Sequence, residues 1–136
     1  MKQARGMRNN NPLNIIKSEN INWQGEVKPS SDPNFAQFET LEYGLRAALK
    51  LLRTYYQKHH CTTIRKIVER WDPEGPAVIA AYVRTVCRHT GLSPDALLPP
   101  MKEETRVLAM ATMECGLTVK QQEELVPYID RAWEKR

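Results

Sequence analysis

The residues of this sequence best placed to do chemistry are two glutamates. Glu114 ends the apolar stretch VLAMATMECG just before Gly116, and Glu39 lies between Phe38 and Thr40, where an amphipathic pattern begins. A carboxylate at the C-terminal end of a helix faces the negative pole of the helix dipole, which favours its proton-carrying form and suits a general acid. Glu39 sits where negative charge is stabilised by a helix start, and stands as the second carboxylate candidate. Other chemistries lack their parts. There is no G-x-S-x-G elbow, and the six glycines are scattered singly, with none of the clustering that a phosphate-cradling loop needs.

No metal site and no cofactor are expected. The only histidines are His59, His60 and His89, and adjacent side chains at a helix end point in different directions. Cys61, Cys87 and Cys115 are odd in number and contain no C-x-x-C pair, which argues for reduced thiols and against a disulfide framework or a zinc ribbon. Trp23 and Tyr82 carry flat rings of the kind that pack on pyranose faces. Trp71 is a third such ring, but it and Tyr82 fall on apolar helix faces, where core packing is the competing role.

The elements that must position these groups follow from the pattern. At 136 residues the chain fits one domain, residues 1–136. Its formal charge of +4 is spread over interleaved acids and bases, so attraction to nucleic acid, anionic lipid or an acidic wall polymer is permitted but not selected. No apolar run has the length of a membrane span and no N-terminal h-region is present; a start in the cytoplasm and no membrane partner are expected.

Residues 5–40 are rich in Asn, Gly, Pro and Ser, which reads as turns and short strands. NIIKS and INWQGEV flank a polar SENIN and are expected to form a small hairpin, with NFAQFET as an edge strand. From Leu41 the apolar positions Leu41, Leu45, Ala48, Leu52 and Tyr55 trace one face of a helix to about residue 57. A second helix follows a Thr62 or Thr63 cap through Ile64, Ile67, Val68 and Trp71, and WDPEGP stops it. A third runs from Pro76 through Ile79, Tyr82, Val83 and Val86 to a Gly91 cap, a fourth covers 102–115, and Thr118 with Gln121 offers a capping box for the last, which Pro127 should kink. The fold class is mainly α (α+β), with a small N-terminal β-hairpin.

RGMRNNNPLNI, NWQGE, FAQFETLEYGLRAALKLLRTY, TTIRKIVERWDP and YVRTVCRHTGLSPDALL occur in the order seen in a family of phage and prophage virion structural proteins. That family resembles the lysozyme-like peptidoglycan hydrolases. NNNPLNI and NWQG are also similar to the Asn-rich stretch and Trp-x-Gly turn of the glucosaminidase and lytic transglycosylase branch, whose catalytic glutamate ends a helix that precedes the Asn motif. Here only VLAMATMECG looks like that helix, and it lies at the other end of the chain.

The resemblance therefore implies a circularly permuted lysozyme-like domain with Glu114 as general acid and Glu39 across a groove. A carboxyl separation of ~5–5.5 Å would mark a retaining enzyme and ~6.5–9.5 Å an inverting one. It also implies Asn10, Asn11, Asn14, Trp23, Gln24 and Tyr82 as groove residues, although the amides of Asn9 and Asn14 also suit the fixing of irregular backbone. The implied partners are peptidoglycan or a related glycan and virion proteins, with virion association. A non-enzymatic virion or wall-binding domain is the alternative. A basic helical nucleic-acid binder, suggested by the helix spacing at 62–91, is a second alternative, and nucleic acid is not the expected partner.

Overall fold

The computed structural model describes residues 3–72 and 74–135. Pro73, part of the expected break after Trp71, lies outside them. The described chain is mainly helical, with one small antiparallel sheet. In order the elements are α1 (Arg5–Arg8), β1 (Glu26–Val27), β2 (Gln37–Phe38), α2 (Leu41–His59), α3 (Ile64–Trp71), α4 (Pro76–Thr90), α5 (Glu103–Cys115) and α6 (Val119–Ala132), followed by a 3-10 turn at Trp133–Lys135.

The helix signals in the sequence act as expected. The hydroxyls of Thr40 and Thr63 accept the backbone N–H of Tyr43 and Lys66 at 3.3 and 3.2 Å, so Thr63 rather than Thr62 starts α3. Thr118 and Gln121 form a reciprocal capping box on α6, which continues past Pro127 to Ala132. Gly91 and Gly116 close α4 and α5 in the left-handed conformation.

The N-terminal segment departs from the expected pairing. β1 pairs with β2, placing Glu26 opposite Phe38 and Val27 opposite Gln37, while Ile16 bridges Phe35. NIIKS and INWQGEV thus both face the 35–38 segment and do not pair with each other. Two side chains account for this. Asp32 reverses the chain by accepting the N–H groups of Asn34 and Phe35 through Oδ1 at 2.8 and 3.0 Å. The Lys28 ammonium gathers Ser18 O, Ile21 O and Asn22 Oδ1 at 3.1, 2.7 and 2.8 Å, which rolls residues 18–22 into a loop. The short helix α1, in a segment expected to hold only turns and strands, is a second departure.

Leu45, Leu49 and Leu52 of α2, Ile64 and Val68 of α3, Tyr82 and Val86 of α4, Val107 and Met110 of α5 and Ile129 of α6 belong to one buried cluster. Each such side chain contributes about 1.5–3 kcal/mol when fully buried. Leu13, Ile15 and Phe38 join the same cluster, so the Asn-rich segment is anchored to the helical core. α5 packs against α1, α2, α4 and α6. Its first residue, Glu103, is 1% exposed and accepts Nε and Nη2 of Arg53 on α2 at 3.1 and 2.7 Å. The Arg53 guanidinium in turn lies 4.4 Å above the Trp133 ring. These contacts fix the start of α5 and, through its length, the position of its last turn.

Candidate carboxylate site

Glu114 lies in that last turn, half-buried. Its carboxylate is the meeting point of three segments that are remote in the chain. Asn14 Nδ2 donates to Oε1 at 3.2 Å, and Tyr82 Oη and Trp71 Nε1 donate to Oε2 at 2.9 and 3.4 Å. Asn14 comes from the N-terminal knot, Trp71 is the final residue of α3, and Tyr82 is on α4. Hydrogen bonds to an ionised group are stronger than neutral ones, and three of them from separate elements fix the orientation of the carboxylate.

Sequence makes the knot through its asparagines, each with a separate task. Asn9 donates through Nδ2 to Asp32 Oδ2 at 3.2 Å, and its carbonyl accepts Phe38 N–H at 2.9 Å. Asn10 takes a left-handed φ of 53° and donates to Phe38 O at 3.0 Å. Asn11 is 0% exposed; its Nδ2 reaches Ile15 O and Ala36 O at 3.0 and 2.9 Å, and its Oδ1 accepts Ile15 N–H at 2.9 Å. Asn14 repeats the φ of 53° and turns its amide to Glu114.

Two glycines admit this knot to the core. A Cβ on Gly44 would lie 1.7 Å from Asn10 O, so α2 can approach the knot backbone only without a side chain there. On Gly6 a Cβ would meet Asn11 O, Cys115 Sγ and Asn14 Oδ1 at 2.8, 2.8 and 2.9 Å. α1, the knot and the end of α5 are therefore in direct contact. The Cys115 thiol donates to Pro12 O at 3.3 Å, a further tie beside Glu114.

The site shapes its own acid–base groups. Burial first, and then the Glu114 charge and hydrogen bond, push the Tyr82 phenol well above its usual range, so it remains a donor. Burial, followed by the same charge, pushes the Cys115 thiol up to about 11. No group of three His, Cys, Asp or Glu residues among the described residues is placed to hold a metal ion.

Of the residues expected from sequence, Asn14 and Tyr82 converge on Glu114. Tyr82 is 2% exposed, so its ring belongs to the core and only its hydroxyl serves the site. Asn11, expected on a groove wall, is wholly enclosed and holds backbone. Glu39, Trp23 and Gln24 gather at the hairpin instead: Glu39 N–H bonds Gly25 O at 2.8 Å, and Tyr43 fills the space beneath Gly25. Gln24 and Glu39 are exposed and Trp23 is half-buried. Asn10 links the two groups, because its amide is spent on Phe38 O, next to Glu39. Trp71, a candidate groove ring with core packing as the competing role, is a third partner, through its indole N–H. Its signal is its place as the last residue of a helix, where an indole N–H can leave the apolar face.

The class defined by this fold and site is a small, mainly helical protein that presents one oriented carboxylate at the end of a buried helix, beside an asparagine-built knot. No family model matches the chain. It is 37% identical over 115 residues to Protein P5 of Pseudoalteromonas phage PM2, a match that spans 83% of this chain and 72% of that protein. The chain belongs to the family of that phage protein. Among the described residues no helix is long and apolar enough to cross a membrane.

Proposed function

We propose that this chain is a peptidoglycan-directed, lysozyme-like virion protein that cleaves the glycan backbone with Glu114 as general acid. One observation carries the reading: a carboxylate at the end of a buried helix receives donors from Asn14, Tyr82 and Trp71. General acid catalysis needs a carboxyl group fixed against the leaving oxygen, and these donors supply that fixation while they also tie the knot, α3 and α4 to the end of α5. The kinship to a phage protein supports a virion setting.

Within this reading the domain is permuted, so that the helix of the acid follows the Asn-rich motif in the chain and still lies beside it. Trp23 and Gln24 at the hairpin provide the far end of the glycan groove, and Glu39 is the second carboxylate there. Tyr82 and Asn14 act on Glu114 and not on the sugar.

Dye release from purified, labelled peptidoglycan, measured for the parent and Glu114→Gln, tests the proposal. Activity in the parent and its loss in the variant are expected. Equal activity in both proteins would remove Glu114 from the role. Retention of the parent on peptidoglycan without release would favour a wall-binding virion domain instead.

A further inference from the structure

The geometry points to Asn14 as a positioning residue for Glu114, kept for the carboxylate and not for the turn in which it sits. This inference rests on Glu114 being the acid.

Position 14 has a left-handed φ of 53°, a conformation in which glycine is the least strained residue. Asparagine there also buries its Oδ1 without a hydrogen-bond partner. An enclosed, unmatched acceptor is unfavourable, so on folding grounds this side chain is a poor choice. What it gains is the Nδ2 contact of 3.2 Å to Glu114 Oε1. Asn10 shares the left-handed φ, but Asn9, Asn10 and Asn11 all bond residues of the 15–38 segment, and none of the three has a buried amide atom without a partner.

The three donors also differ in what they can do when Glu114 changes its proton. Trp71 Nε1 can only donate. Tyr82 Oη can donate or accept, and the Asn14 amide can turn to offer Oδ1 to a protonated carboxyl. An acid that gives up and regains a proton within one cycle is thereby held in both states from the Oε1 side. The orphaned Oδ1 is the acceptor used in the second state.

The test uses the full chain with Asn14→Gly and Asn14→Ala. Both variants lose the amide, but only glycine relieves the backbone, so Asn14→Gly is expected to unfold at the higher temperature. In peptidoglycan cleavage Asn14→Gly should lower kcat on the order of 10–100-fold at unchanged KM. A raised KM with parental kcat would make Asn14 a substrate contact, and parental values of both would leave it no role; either overturns the inference.

A second readout needs no activity. The Asn14 side-chain NH2 signals in a nitrogen-15 NMR spectrum should move with pH in the parent and stay fixed in Glu114→Gln. Signals that ignore the substitution overturn the inference. If the parent proves inactive while these signals still respond to Glu114→Gln, the hydrolase reading fails and the pairing of Asn14 with Glu114 stands on its own.

Discussion

Tyr82 buries its ring in the core and delivers its hydroxyl to Glu114 Oε2 at 2.9 Å, so one residue links helix packing to the carboxylate. Tyr82→Phe separates the two tasks. The ring stays, and the loss should be limited to one charge-assisted hydrogen bond, about 1.5–3 kcal/mol in urea unfolding. Tyr82→Ala should cost clearly more, about 3–5 kcal/mol, because a cavity is added.

The same phenol sets an alkaline limit on stability. Its folded-state pKa is raised from 10.0, first by burial and then by the Glu114 charge, so above that value the unfolded chain loses this proton before the folded one. The stabilisation is complete below about pH 10 and declines as pH rises further. Tyrosinate absorbance followed against pH should show Tyr82 ionising only with unfolding. Glu114→Gln should bring its ionisation to lower pH.

Cys115 is predicted to be a silent thiol. With its pKa pushed up to about 11, it is almost wholly protonated at pH 8. A disulfide reagent at pH 8 should leave Cys115 unmodified by mass spectrometry, and modification should appear as pH approaches 11. Fast reaction at pH 8 would show that the contact with Pro12 O does not persist in solution.

Gly44→Ala tests whether the knot docks on α2 as closely as 1.7 Å from a new Cβ implies. The clash is with the backbone oxygen of Asn10, so no rotamer relieves it. A loss of about 3 kcal/mol in thermal unfolding is expected. A neutral outcome would mean that the knot moves away freely.

Asp32 gives the acid side. Its carboxyl is held below its usual value chiefly by the N–H of Asn34, against burial, and further by Phe35 N–H, Asn9 and Arg5. A lowered folded-state value means that this stabilisation is present above about pH 4 and is lost as pH falls through the folded value. Urea midpoints measured from pH 6 downward should fall further in the parent than in Asp32→Ala.

The helical part of this fold was legible because its signals are local. The caps at Thr63 and Thr118, the Gly116 stop and the apolar faces of α2 to α5 each lie within a few residues of what they control. The strand pairing was not, since it depended on where Lys28 and Asp32 sent their bonds. The same divide runs through the site. Glu114 drew notice by its place at a helix end, and Tyr82 was weighed both as core and as site, which are the two things its ring and hydroxyl prove to be. Trp71 stood between the same two roles, and only the bond from its indole N–H to Glu114 stayed hidden, because an apolar stripe conceals that direction.

By itself, then, the sequence determined the elements and the residue types, since hydrogen-bond capping and hydrophobic periodicity act over one or two turns. Only the tertiary structure decided which donors face Glu114. Asn14 stands 100 positions away in the chain, and its amide reaches the carboxylate because α1, the knot and α5 meet at Gly6 and the knot docks on α2 at Gly44, with no side chain at either position.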